Sequence, residues 1–169
     1  MKVPHGTSFA DLMPVVPFFL TFVMSFVYLG IYWNNHHHLL HLTDRVTGGV
    51  LWANLHLLFW LSLIPFVTGW MAENHFAREP VMLYGIVLLM AGVAYGILVK
   101  VLTLGCTPNS RLRQAVGRDV KGKLSVVFYA IALGAAFWNS WIAVAIYVLV
   151  ALIWVIPDRR IEGRTFASE

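Results

Sequence analysis

The sequence predicts an all-α fold: a polytopic membrane helix bundle with five transmembrane helices in a single domain, 1–169. Three observations carry this. First, 59% of the residues are hydrophobic and only 12% are charged, where a soluble domain carries about 25% charged residues. Second, five apolar segments are long enough, or nearly so, to cross a hydrocarbon core, which takes about 20 helical residues. Third, Lys and Arg bunch beside those segments, the pattern that sets membrane topology. That clustering accounts for the net charge of +4, so no nucleic acid is expected as a partner. The single Cys106 excludes an internal disulfide. The opening MKVPHG is followed by polar residues, not by a short apolar run with a small-residue cleavage site, so no signal peptide is expected.

The spans fall at about 12–33, 50–70, 81–104, 124–138 and 141–156. The last two are short and joined by Asn139-Ser140, which reads as a tight turn with Ser140 as the N-cap of the fifth span. Pro80 sits at the start of the third span, as Pro does in a first helical turn. Trp33, Trp52, Trp70, Trp138, Trp141 and Trp154 lie near span ends, where amphipathic rings favour the interface. The loop 105–123 carries Arg111, Arg113, Arg118, Lys121 and Lys123, and the tail 157–169 carries Arg159, Arg160 and Arg164. The positive-inside rule puts both in the cytoplasm, with the His-rich connection after the first span, so the N-terminus lies outside. The polar opening PHGTSFAD then reads like a short external loop, as though one helix preceded it. The loop SRLRQAVGRDVKGK is either a short amphipathic surface helix or a solvated basic loop.

Polar residues in the spans are the functional signal, because lipid leaves them only protein or water as partners. Thr21, Ser25, Tyr28, Tyr32 and then Asn35 or His36 recur at three- or four-residue steps and share one helical face. Such a face lines a water-filled or ion-conducting cavity, or else packs on neighbours with its hydroxyls on backbone carbonyls. Trp52, His56 and Trp60 repeat at four-residue spacing and are expected to stack on one face. Asn54 points about 200° away from Trp52, as a fixed hydrogen-bond post for a gate or pore helix, or as a helix–helix clamp. Gly92 and Gly96, with Gly85 before them, favour close helix contact.

The cluster His36, His37, His38 and His41 invites a metal reading, since His37 and His41 at i and i+4 can share one ion. Histidines at a helix end that interact with terminal carbonyls are the other reading. A haem bundle needs facing His residues at bilayer depth, and only His56 lies well within a span. No metal site and no cofactor is expected. No nucleophile, carboxylate pair or phosphate loop marks an enzyme, and the absence of an intramembrane carboxylate argues against a proton-coupled carrier.

The stretch from Phe26 to Trp70, with YWNNHHHLLH and LWANLHLLFWLSLIPFVTGW, resembles bacterial members of the transmembrane-protein-175 family of potassium channels. The carrying features are Trp33-x-x-His36, Asn54 ahead of Pro65-Phe66, the loop end RDVKGKLS and the closing VALIWVIPDRR. The resemblance implies six helices per unit, a homotetramer in the bacterial inner membrane, and passive potassium ion conduction. Selection would lie at apolar constrictions, without the carbonyl filter of other potassium channels. It implies that Trp33, His36 and Asn54 support the pore helix, whose Arg-x-x-x-Phe-Ser-Asp signature is only faintly echoed by Phe9-Ala10-Asp11. By this resemblance the five spans correspond to helices two to six, and a subunit lacking the first helix would not conduct alone. A non-conducting membrane scaffold and a His-based metal- or haem-binding membrane protein are the alternatives. The partners implied are the potassium ion, the lipid bilayer and further copies of the chain.

Overall fold

A computed structural model describes residues 8–43, 46–104, 110–116 and 120–155. A 3-10 turn, Phe9–Val15, leads into α1, Val16–His41. Then come α2 (Gly48–Glu73), α3 (Arg78–Leu104), the short α4 (Arg111–Val116), α5 (Val120–Ala136) and α6 (Ser140–Val155). Three of these, α1 to α3, are long and apolar enough to cross a membrane, and α6 is a shorter apolar helix. The protein is a multi-pass membrane protein, and the five long helices occupy the five expected spans.

The helices outrun the apolar runs at several ends. α1 continues through the whole His string to His41, so His36, His37, His38 and His41 form its last turns and not a connection. Hydropathy ends near Trp33, but nothing breaks the helix there: Gly48 is the next Gly or Pro. α2 begins where Thr47, in extended conformation, accepts from the Val50 amide at 3.4 Å. α5 starts four residues before its expected span and ends two residues earlier. The cap of α6 is Asn139, not Ser140: Asn139 Oδ1 accepts from the Trp141 amide at 2.8 Å, and Ser140 is the first helical residue. Asn and Ser are comparable caps, and the turn places the amide oxygen over the open amides.

The α2–α3 connection is a Schellman closure. Phe76 N–H bonds Met71 O at 3.0 Å and His75 N–H bonds Ala72 O at 3.3 Å. This requires a left-handed residue after the cap; His75 takes φ 49° and Phe76 φ 58°. The Phe76 ring then lies 4.9 Å from Trp141, tying this connection to the start of α6.

α3 is the central helix, packed on α2, α5 and α6, while α1 lies mainly on α2 and touches α6. Many interior positions are small: Ala53, Ala91, Ala94, Ala132, Ala136, Ala143 and Ala151 are buried. Large apolar residues such as Phe19, Phe22, Phe26, Leu55, Phe59 and Leu152 face outward. Lipid tails are as apolar as Leu, so close packing of small residues, not apolar burial, joins membrane helices. Of the basic loop, α4 is described; its Leu112 is buried and its Arg113 exposed. The opening residues 1–7, Cys106 and the tail 157–169 lie outside the described residues.

Candidate functional site

The polar face of α1 meets α2 at two points. His36 Nε2 donates to Asn54 Oδ1 at 2.6 Å. A carbonyl oxygen can only accept, so the His36 proton sits on Nε2. Eleven residues earlier, Ser25 Oγ donates to Thr68 Oγ1 at 2.7 Å, and Thr68 donates on to Ile64 O at 2.5 Å. Late α1 thus meets early α2, and mid α1 meets late α2, as an antiparallel pair requires. Pro65 stands between the two points and lacks an N–H to offer Leu61 O. The Thr68 back-bond lies one turn beyond it.

Of the expected trio, the structure brings His36 and Asn54 together. Trp33 is 64% exposed, and its ring stacks on His37 at 5.2 Å, which stacks on His41 at 6.2 Å. These three sit at four-residue steps and form an outward ladder. Among the described residues no group of three His, Cys, Asp or Glu side chains could hold a metal ion. His56 accepts from Trp60 Nε1 at 3.0 Å, with the two rings edge to face. Trp52, expected on the same stack, is exposed and makes no ring contact among the described residues.

Thr21, Ser25 and Tyr28 are buried and Tyr32 half-buried. Thr21 donates to Phe18 O at 2.8 Å and Ser25 to Thr68, so both hydroxyls are satisfied inside the bundle. Tyr28 and Tyr32 enter a cluster that sequence reasoning missed. All six tyrosines of the chain gather between α1, α3, α5 and α6. Tyr28 donates to Tyr147 O, and Tyr147 donates to Val81 O at 3.3 Å. Tyr28 meets Tyr84 edge-on at 6.1 Å, Tyr84 meets Tyr147 at 5.4 Å, and Tyr147 meets Tyr129 at 6.3 Å. Tyr32 meets Tyr95 at 6.2 Å. The signal was available: Tyr84 and Tyr95 lie eleven residues apart, three turns along one face.

At one end of the cluster lies a cavity of about 30 Å³, lined by Tyr28, Tyr32, Asn35, Tyr95, Tyr129 and Trp154 among others. Trp154 Nε1 donates to Ser125 Oγ at 2.7 Å, and Ser125 donates to Lys121 O at 2.9 Å, closing the α5–α6 side.

The family profile described as endosomal/lysosomal potassium channel TMEM175 matches residues 1–65, which hold all of α1 and the stretch of α2 bearing Asn54. A protein named potassium channel from Chryseobacterium sp. (strain P1-3) is 50% identical over 162 residues, covering 96% of this chain and 84% of the relative. Potassium channels from Streptomyces collinus and Chamaesiphon minutus are 26% and 23% identical, covering 82% and 87% of this chain and 70% and 75% of their own lengths. No solved structure matches the chain significantly. With half its residues shared along nearly its whole length, the chain belongs to the TMEM175 family of potassium channels.

Proposed function

We propose that this chain is the subunit of a bacterial potassium channel that passes potassium ions down their gradient. The observation that carries this is the 50% identity, over 96% of the chain, to a protein named potassium channel. The subunit is a channel component and not an enzyme. It works as a homotetramer in the inner membrane, with its basic loop and C-terminus in the cytoplasm. The clustering of Lys and Arg at 100–123 and 157–169 supports that orientation.

In this reading α1 and α2 form the frame of the conduction path. Trp33, His36 and Asn54 are its support network, with the 2.6 Å bond from His36 to Asn54 as the clamp. A charge-free hydrogen bond at this depth sets helix register at little desolvation cost, and interhelical bonds of this kind contribute about 1 kcal/mol. Thr21, Ser25, Tyr28 and Tyr32 belong to the same wall. The Ser25 and Tyr28 hydroxyls tie α1 to α2 and α6, the Thr21 hydroxyl bonds its own helix, and the wall offers oxygen to ions or water only where the bundle opens. Outward apolar rings such as Phe19, Phe22 and Phe26 make the surfaces that meet lipid or the next subunit.

The test is potassium flux into proteoliposomes holding the purified full chain. Flux above protein-free vesicles, driven by the gradient alone and unaffected by a proton uncoupler beyond charge balance, is the expected result. Flux no greater than in protein-free vesicles overturns the reading.

A further inference from the structure

We infer that the cavity beside Asn35 and Trp154 holds a bound water that ties α1 to α5. The cavity measures about 30 Å³, where a water needs about 10–15 Å³ and occupies about 30 Å³ in the liquid. A water also needs two to four polar partners, and the lining supplies them. The Tyr32 hydroxyl carries no hydrogen bond to another described residue, and it lies 3.8 Å from where a Cβ on Gly92 would stand. Asn35 also lines the cavity; its amide nitrogen is bonded to Ile31 O at 2.8 Å, which leaves its carbonyl oxygen. Ser125 Oγ, on the far wall, accepts from Trp154 and donates to Lys121 O, and keeps one lone pair. A water donating to Asn35 and Ser125 while accepting from Tyr32 satisfies all three groups. An unsatisfied buried polar group there costs more than an ordered water does.

Gly92 keeps the site open. An alanine Cβ there would meet Val126 at 3.4 Å, the Tyr32 hydroxyl at 3.8 Å and Tyr129 at 3.9 Å, ordinary contacts that fill space without a clash. Gly92→Ala is therefore a variant that folds and displaces the water. Tyr84 is an internal control: it belongs to the same tyrosine cluster but is fully buried and does not line the cavity.

Hydroxyl-radical footprinting of the full chain in nanodiscs, made in ¹⁸O-labelled water, reads the site directly, because a bound water activated in place labels its neighbours. The expected result is ¹⁸O incorporation at Tyr32 several-fold faster than at Tyr84, reduced several-fold by Gly92→Ala. Tyr32 labelled no faster than Tyr84, or unchanged in the folded Gly92→Ala protein, overturns the inference. Should that variant fail to fold, the Tyr32-to-Tyr84 ratio in the native protein decides alone. Neither outcome depends on whether the chain conducts potassium.

Discussion

Tyr147 of α6 presses onto the backbone of α3 at Gly85. A Cβ at position 85 would stand 2.0 Å from the Tyr147 hydroxyl oxygen and 2.9 Å from its ring, with Leu133 at 3.0 Å. From that position Tyr147 donates to Val81 O while its own carbonyl accepts from Tyr28. One glycine thus lets α1, α3 and α6 share a junction.

Gly85→Ala should therefore be severe, costing at least the 1–3 kcal/mol typical of overpacking. Gly96→Ala, with nothing within 4 Å of the new Cβ, should leave the fold intact. Thermal unfolding in detergent compares the two. Adding Tyr147→Phe to Gly85→Ala should recover part of the loss, since the closest clashing atom is removed.

The His36–Asn54 clamp should be measurable as a coupling. Asn54→Ala is expected to lower stability by about 1–2 kcal/mol and to reduce flux, and His36→Ala should add little to it. A double-mutant cycle on unfolding reads this directly. Independent, additive losses would mean the 2.6 Å bond does not form.

His75→Gly should stabilise. The Schellman closure needs a left-handed residue there, and a non-glycine in that conformation costs about 1–2 kcal/mol. Glycine's extra freedom in the unfolded chain offsets part of that, so a gain of about 0.5–1 kcal/mol in unfolding is expected.

Tyr84→Phe should be neutral or stabilising, in contrast to Tyr28→Phe. The Tyr84 hydroxyl is buried with no hydrogen-bond partner among the described residues, and such a group costs about 1–3 kcal/mol. Tyr28 bonds the Tyr147 carbonyl, which also accepts within its own helix, so removing the hydroxyl loses one interhelical hydrogen bond and should destabilise by about 1 kcal/mol.

The five long helices were legible in the sequence because hydropathy and length dominate the choice of structure in a bilayer. Their ends were less so. The His string follows the last apolar residue of the first span, yet helix continues through it because hydrogen bonding does not stop where hydropathy does. The same limit applied at Asn139 and Ser140, two comparable caps separated by one residue. Within the site, the polar stripe of α1 was legible as a face, and His36 with Asn54 as candidates, but not their pairing, which depends on the register of α1 on α2. Trp33 shares the motif with His36, yet it turns to the ladder with His37 and His41. The tyrosine cluster is only partly legible: Tyr28 with Tyr32, and Tyr84 with Tyr95, each share a helical face, but only the packing of α1, α3, α5 and α6 brings them together with Tyr129 and Tyr147. Gly85, Gly92 and Gly96 read as one stripe, but among the described residues nothing lies within 4 Å of a Cβ at Gly96, and only at Gly85 does a ring press closer than 3 Å.

The most direct measurement is current through the purified chain in a planar bilayer, with unequal potassium on the two sides and sodium balancing the difference. A channel subunit of this family should give current that reverses near the potassium equilibrium potential and falls in Asn54→Ala. No current, or a saturable flux locked to protons or sodium, would contradict the account.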